Sequence, residues 1–332
     1  MHSASVPGRN PDSAEGEAAR DREQGNGVTN ADLVGLYTAM LRARRIDHRL
    51  AALYREGAIG THRPAAKDEA VIVGATAALR PSDWLFSGEG HLAAALVRGV
   101  PVETMFHHLF GDASDPTKGR TVPSRLAYKQ ANVIAGGTSN GAHLTHAAGL
   151  AWAAKIEKKN DVVALALFDA TVADTGEFHN GLNFAGVFKA PAIFVCRSTV
   201  DARAPAGTPL VERGVAYGMR AVACDGGDVA AVLVAVRDAI AHAAGGGGPT
   251  LIDAVIAADA DDPLLRTRRV LEGRGLLTNH AELEATLDAE IDAAVRAAIA
   301  APPPDRATLF EDVYAAVPRH LQEQAAERKG SV

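Results

Sequence analysis

Cysteine, aromatic residues and an excess of basic charge are all scarce in this sequence of 332 residues. Its two cysteines, Cys196 and Cys224, are too few for a disulfide framework and favour a reducing compartment. The formal net charge of -6 argues against a nucleic-acid-binding surface, which would carry a basic excess. No apolar run reaches the length of a membrane span. We therefore expect a cytoplasmic protein whose partners include neither nucleic acid nor membrane.

Hydrophobic residues make up 47% of the chain and aromatic residues only 5%, which predicts a globular core packed through small side chains. Residues 1–29 are rich in Ser, Gly, Glu, Arg and Asn without apolar periodicity, so we predict a disordered tail there. The five acidic residues of this tail and its lack of an apolar core fit neither a secretory signal nor a transit peptide. We predict a single domain over residues 30–325 and a second tail over residues 326–332.

Two kinds of periodicity divide the predicted domain. From Asn30, the predicted helix cap, Leu33, Leu36 and Met40 follow the spacing of a buried helical stripe. In the second half, amphipathic helices separate short apolar strands, which read NVIAGG, DVVALALF, APAIFVC, RAVAC and PTLIDAVI. This alternation predicts an α/β protein with a doubly wound parallel sheet, helices on both faces of the sheet and an N-terminal helical segment.

Polar residues follow the carboxyl ends of the predicted strands, where parallel sheets bind their ligands. The sequence GGTSNG follows the first strand, Asp169 and Thr171 follow the second, and Arg197 and Thr199 follow the third. Carboxylate and neutral oxygens suit a magnesium ion that bridges the phosphates of a ligand. The same residue types are favoured in solvated turns, so that alternative stays open. The glycines of GGTSNG either expose backbone N–H groups to a phosphate or only permit a tight helix entry.

Two further features carry weaker signals. The polar segment of residues 111–130 has little periodicity, so we predict either an ordered functional loop or a mobile one. His143 and His146 lie three apart on one predicted helix, but no third metal ligand follows at a suitable spacing. We interpret this pair as histidines on a helix face.

A series of segments in collinear order, from about Asn30 to His320, carries a resemblance to a known family. These segments are LYTAMLRARRIDHRLAALYREGAIG, DEAVIVGATAALRPSDWLF, LFGDASDPTKGR, AAGLAWAAK, TGEFHNGLNFAGVFKAPAIFVC, VAYGM, DGGDVAAVLVAVRDAI and GGGGPTLIDAV. Together they resemble the alpha subunit of the thiamine-diphosphate-dependent first component of 2-oxo acid dehydrogenase complexes. The branched-chain and pyruvate enzymes are the most similar kinds.

The resemblance implies a thiamine-diphosphate-binding fold and a beta subunit as partner, usually in a heterotetramer with the cofactor between subunits. It implies oxidative decarboxylation of a 2-oxo acid and transfer of the acyl group to a lipoyl group on the second component. The cofactors implied are thiamine diphosphate and magnesium. In such an enzyme the cofactor supplies the carbanion chemistry and the protein positions it. The sequence assigns no catalytic residue of its own.

The cofactor positions depart from the pattern of the relatives. Where relatives carry Gly-Asp-Gly after the second strand, this chain has Phe168, Asp169 and Ala170. Relatives place paired asparagines 30 residues after that acid, and here Ser198 and Thr199 occupy those positions. The resemblance then implies Asp169 and Thr199 as metal ligands. It also implies cofactor contacts at a wider set of positions: Ser139, Asn140, Gly141, Asp169, Ala170, Thr171, Arg197 and Thr199.

Two more family segments are altered. The segment in which relatives carry Tyr-Arg reads FSGEGH and has no arginine, and the His-Ser loop reads AADADDP without histidine. Two hypotheses follow. In the first, a rearranged site still holds magnesium and thiamine diphosphate, and the chain acts with a beta subunit on a 2-oxo acid. In the second, the chain is a catalytically inactive structural or regulatory paralogue, bound to a beta subunit or to an active alpha subunit.

Overall fold

The structure is a computed structural model that describes residues 27–62, 64–65, 67–88, 91–123, 125–135, 141–159, 161–199, 209–310 and 314–329. Residues 1–26 of the predicted first tail and 330–332 of the second lie outside the described residues, as do Ser139 and Asn140. Among the described residues, no helix has both the length and the apolar character needed to cross a membrane.

A parallel sheet of six strands forms the centre of the described chain. The strands are β1 (Trp84–Ser87), β2 (Val133–Ala135), β3 (Ala164–Asp169), β4 (Ala192–Thr199), β5 (Arg220–Asp225) and β6 (Thr250–Ile256). Their order across the sheet is β2-β1-β3-β4-β6-β5, and every neighbouring pair is parallel. Because parallel neighbours need crossover connections, helices follow most of the strands.

The helices described in this structure fall before, between and after the strands. They are α1 (Asn30–Arg55), α2 (Glu69–Ala77), α3 (Leu92–Val97), α4 (Val102–Phe110), α5 (Ala142–Ile156), α6 (Gly176–Phe188), α7 (Leu210–Ala216), α8 (Val229–Ala244), α9 (Pro263–Gly273), α10 (His280–Ala300) and α11 (Arg319–Lys329). The N-cap of α1 is Thr29, one residue before the predicted cap, because its hydroxyl and the carboxylate of Asp32 form a reciprocal capping box.

Alternate residues of each strand enter two different hydrophobic cores. Leu165 and Leu167 of β3 pack with residues of α2, α4 and α8. Ala164, Ala166 and Phe168 of the same strand pack with residues of α5 and α6. Since successive side chains of a strand point to opposite faces, the sheet is covered on both sides. The predicted α/β sheet with helices on both faces is therefore confirmed.

The central strand β1 was missed by the sequence prediction, which recognised five strands and not this one. It has only four residues, Trp84–Ser87, yet it lies between β2 and β3. A run this short carries too little alternation to be distinguished from a loop. Its strand character comes from backbone pairing on both sides, which no local pattern reveals.

Small residues bring α5 and α6 into close contact. A Cβ atom at Gly181 of α6 would lie 3.0 Å from the carbonyl carbon of Leu144 in α5. The alanine-rich and glycine-rich sequences of these helices therefore serve packing within the chain on this side, where backbones approach closely.

Candidate functional site

The carboxyl edge of the sheet brings two of the predicted site residues side by side. Asp169 is the last residue of β3, and Arg197 stands opposite it in register on β4. Thr199 lies two residues further along β4, opposite Ile256 of β6. Residues in register or two apart share one face of a sheet, so Asp169, Arg197 and Thr199 all face the side covered by α2 and α8.

Arg197 binds two carboxylates at this edge. Its Nε donates to Oδ1 of Asp169 over 2.8 Å, and its Nη1 donates to Oδ1 of Asp68 over 2.8 Å. The three side chains are 24%, 15% and 16% exposed, respectively, so solvent screens these ion pairs only in part. Asp68, which immediately precedes α2, was not singled out from the sequence, because 129 residues separate it from Arg197.

Burial and charge act together on the carboxyl group of Asp68. Its pKa is raised to about 6: burial is the largest cause, the ion pair with Arg197 acts in the opposite direction, and the charges of Asp169 and Glu69 add to the effect of burial. The pKa of Arg197 is also raised: its burial alone would lower it, but attraction to Asp68 and Asp169 more than offsets this. The edge is thus crowded with negative charge that the guanidinium compensates.

A second arginine organises the neighbouring acids. Arg44 of α1 forms an ion pair with Glu69, with Nη2 donating to Oε2 over 3.0 Å. The Nη1 of Arg44 also donates to Oδ2 of Asp262 over 2.9 Å. Asp262 is the N-cap of α9 and accepts hydrogen bonds from the first backbone N–H groups of that helix. Arg44 therefore connects α1, α2 and α9 beside the carboxyl edge.

The positions that flank Asp169 face elsewhere. Phe168 is fully buried on the opposite face of the sheet, where its ring centroid lies 5.8 Å from that of Phe178. Ala170 begins a short 3-10 turn that spans Ala170–Asp174, and Thr171 in this turn is exposed. Ser198 is also on the opposite face and donates its hydroxyl to Oδ1 of Asp253 over 2.5 Å.

Gly141, a predicted cofactor contact, is the N-cap of α5. Its φ of +81° is left-handed, and a Cβ atom there would lie 2.3 Å from Cγ1 of Val172. Val172 belongs to the turn after β3, so this glycine permits the turn and the helix to touch.

We expect Gly141→Ala to lower the free energy of unfolding by about 1–3 kcal/mol, because the new methyl group meets Val172 in a strained conformation. Urea unfolding followed by circular dichroism would measure the change. The double variant Gly141→Ala/Val172→Ala removes the steric contact. It should therefore lose less stability than the sum of the losses in the two single variants. Wild-type stability in Gly141→Ala would contradict the close contact.

The residues described at this edge do not fit the magnesium site that the resemblance implies. Arg197 occupies one oxygen of Asp169, and the hydroxyl of Thr199 is a shorter donor than the carboxamide of the relatives. In the part of the chain that the structure describes, no group of three or more His, Cys, Asp or Glu side chains could hold a metal ion. Ser139 and Asn140 cannot be placed, because they lie outside the described residues.

His143 and His146, interpreted from the sequence as histidines on a helix face, both lie in α5, where His143 is buried and His146 is exposed. The Nε2 of His143 donates to the carbonyl oxygen of Leu167 over 2.9 Å. Burial lowers the pKa of His143 and so favours the neutral ring, whereas the hydrogen bond to Leu167 acts in the opposite direction. The two histidines therefore differ in burial although they lie three residues apart on one helix.

The segment of residues 111–130 is an ordered loop over most of its length. The carboxylate of Asp115 accepts hydrogen bonds from His108, from the backbone and hydroxyl of Thr117, and from the backbone of Gly119. The side chains of His108 and Asp115 are both 0% exposed. Of the two alternatives drawn from the sequence, order is confirmed for this part of the loop.

Comparison with known proteins identifies the family. A family model described as "Dehydrogenase E1 component" matches residues 37–257. The chain is 33% identical to the 2-oxoisovalerate dehydrogenase subunit alpha of Bacillus subtilis over 284 residues, which cover 80% of this chain and 86% of that one. It is 29% identical to the 3-methyl-2-oxobutanoate dehydrogenase subunit alpha of Mycobacterium tuberculosis over 348 residues, which cover 96% and 92% of the two chains.

Among solved structures, a transketolase from Campylobacter jejuni is similar with a TM-score of 0.47 and 14% sequence identity, covering 79% of this chain and 46% of that one. The family match is the more extensive finding, since it includes all six strands of the sheet and both acids that bind Arg197. The chain belongs to the dehydrogenase E1 component family, and its curated relatives are alpha subunits of 2-oxo acid dehydrogenases.

Proposed function

We propose that this chain is the alpha subunit of a 2-oxo acid dehydrogenase E1 component and assembles with a beta subunit into a heterotetramer. Family membership over residues 37–257 carries this proposal. The reaction proposed for the assembly is oxidative decarboxylation of a 2-oxo acid with acyl transfer to a lipoyl group of the second component. The family implies dependence on thiamine diphosphate. Two free cysteines support the proposal of a cytoplasmic location.

An exposed apolar surface supports a protein partner. We define the aromatic patch as Trp152, Ile156, Phe184, Val187 and Phe188, on α5 and α6. The rings of Trp152 and Phe188 stack with their centroids 4.5 Å apart, and Phe184 contacts both of them. Val187 is 67% exposed and Ile156 is 60% exposed. Grouped exposed apolar side chains of this kind mark protein interaction sites, and aromatic residues are enriched there.

A second candidate is a catalytically inactive structural or regulatory alpha subunit. The specific observation that favours it is the poor fit of the edge to magnesium, with Asp169 bound by Arg197 and with Thr199 as the neutral oxygen donor. The carbanion chemistry of an active member would come from the bound cofactor. In both candidates the fold and the partner surface have the same role, and only the state of the cofactor site differs.

We expect co-expression with the E1 beta subunit of the same organism to yield a heterotetramer, measured by size-exclusion chromatography with light scattering. Val187→Glu places a charge in the aromatic patch and should weaken the assembly by 10-fold or more. Val270→Glu on α9 is the matched control, because Val270 is also exposed and lies outside the patch. A beta subunit that never co-purifies with the wild type would refute the proposed heterotetramer, and of the second candidate it would leave only an inactive subunit bound to an active alpha subunit.

Activity of the purified assembly separates the two candidates. Release of carbon dioxide from 3-methyl-2-oxobutanoate or pyruvate, dependent on added thiamine diphosphate, supports the active alpha subunit. A stable assembly without any such release supports the inactive subunit. The oligomeric state and the decarboxylation assay are independent readouts, so assembly is tested even when no turnover occurs.

A further inference from the structure

The guanidinium of Arg197 lies where a cation is required by the two acids of the carboxyl edge. Asp169 and Asp68 come from different parts of the chain, and each offers Oδ1 to Arg197 at 2.8 Å. We infer that Arg197 takes the place of a divalent cation at this edge, so that the chain binds no divalent metal through Asp169.

The geometry of the pairs supports this inference. A guanidinium donates along fixed directions and satisfies carboxylates by charge-assisted hydrogen bonds, whereas a divalent cation needs six or more oxygens around one point. The two contacts use different donor atoms of Arg197, with Nε donating to Asp169 and Nη1 donating to Asp68. A metal ion bound to Oδ1 of both acids would have to displace the guanidinium from between them.

The acids next to this pair also have arginine partners and so offer no unpaired carboxylate to a metal ion. Glu69, next to Asp68, already has the guanidinium of Arg44 as its partner, and Arg44 also binds Asp262. Each of the two arginines therefore binds two carboxylates, and all four acids have a guanidinium partner. An ion that entered would gain carboxylate ligands only by leaving an arginine beside them without its counter-charges, which is costly in a half-buried site.

The hydroxyl oxygens of Ser198 and Thr199 are poorly placed to bind a metal ion together with Asp169. Ser198 points to the opposite face of the sheet, where its hydroxyl binds Asp253. Thr199 shares the face of Asp169 but carries a hydroxyl on a short side chain, two residues beyond Arg197 along β4. Arg197 therefore stands directly opposite Asp169, whereas the hydroxyl of Thr199 lies two residues further along β4. The inference concerns this chain alone and does not depend on the proposed beta subunit.

The test compares five full-length proteins: wild type, Arg197→Gln, Arg197→Lys, Asp169→Asn and the double variant Arg197→Gln/Asp169→Asn. Free Mn²⁺ is titrated by electron paramagnetic resonance with and without thiamine diphosphate, so that a metal site completed by the diphosphate is also detected. Thermal unfolding is recorded in MgCl₂ and in NaCl of equal ionic strength, which separates specific binding from screening.

We expect the wild type to take up no Mn²⁺ and to show the same unfolding midpoint in both salts. Arg197→Gln leaves the two acids without their cation and should lower the midpoint by about 5–10 °C. It should then bind about one Mn²⁺ per chain and regain part of its midpoint in MgCl₂. Arg197→Lys keeps a positive charge and should stay insensitive to metal, and the double variant should lose the metal response.

Stoichiometric Mn²⁺ binding by the wild type that disappears in the single variant Asp169→Asn would overturn the inference. A folded Arg197→Gln protein without any metal response would also overturn it, because the acids would then not form a cation site. If Arg197→Gln does not fold, the wild-type and Asp169→Asn titrations decide the inference alone. Failure of the chain to bind a beta subunit would change none of these measurements.

Discussion

Asp115→Ala is expected to lower the free energy of unfolding by about 3–5 kcal/mol, because it removes a fully buried carboxylate and leaves several buried donors without an acceptor. The carboxylate accepts hydrogen bonds from His108, Thr117 and Gly119. Without the carboxylate, these donors stay buried with no acceptor, and the loop loses the hydrogen bonds that connect it to His108. Chemical denaturation followed by tryptophan fluorescence would measure the change.

The same carboxylate gives this prediction a pH dependence. Burial raises the pKa of Asp115, but hydrogen bonds from His108 and Thr117 more than offset this and lower it to about 2. A carboxylate with a lowered folded-state pKa stabilises the fold above its unfolded pKa and loses that effect as the pH falls through the folded value. The stability difference between wild type and Asp115→Ala should therefore shrink from about pH 4 downward toward pH 2.

Asp261→Ala is the matched control for Asp115→Ala. Asp261 also forms an ion pair, with Arg269, but both side chains are mostly exposed. Exposed pairs contribute about 0–1 kcal/mol, so this variant should unfold close to the wild-type midpoint. Equal losses in the two variants would show that Asp115 is not the centre of the ordered loop.

Gly186→Ala is expected to destabilise the chain by roughly 3 kcal/mol or more through a clash with backbone. Gly186 lies in α6, and a Cβ atom there would be 2.0 Å from the carbonyl oxygen of Tyr217. Relief would require α6 to move away from the segment after α7. Such a shift would also disturb the contacts between α5 and α6.

Gly149→Ala in α5 separates this clash from the general effect of replacing a helical glycine. No atom lies within 4 Å of a Cβ at Gly149, so the higher helix propensity of alanine should stabilise the chain by up to about 1 kcal/mol. The two substitutions are chemically identical and should have opposite signs in thermal unfolding of the isolated chain. A stabilised Gly186→Ala would contradict the close approach of Tyr217.

The strands that carry long apolar runs could be predicted from the sequence, and β3, β4 and β6 lie where those runs predicted them. The four-residue strand β1 could not, because its pairing with β2 and β3 is a tertiary property. The sequence left order and mobility of the 111–130 segment as open alternatives, because the hydrogen bond between Asp115 and His108 appears only in the folded structure. The sequence predicts a helix or strand when apolar residues recur along it with the matching period. It cannot predict an element that forms only through pairing with residues distant in the chain.

The candidate site shows the same division. Asp169 and Arg197 could be found because parallel strands end at one edge, and the structure places them opposite each other. Asp68 could not be found, since it precedes a helix and follows no predicted strand end. Its pairing with Arg197 alters the interpretation of the site, because a side chain expected to contact a cofactor already has two acidic partners.

The contacts of Arg44 set a limit on where this chain can be shortened. Arg44 lies in the first described helix, yet it binds Glu69, whose side chain is only 3% exposed, and Asp262 beyond the last strand. A truncated protein that begins after α1 would leave both acids without their guanidinium, next to the Asp68–Arg197 pair. Helix α1 therefore supplies positive charge that the acids at the sheet edge need. Its removal would destabilise the surroundings of Asp262 as well as those of Glu69.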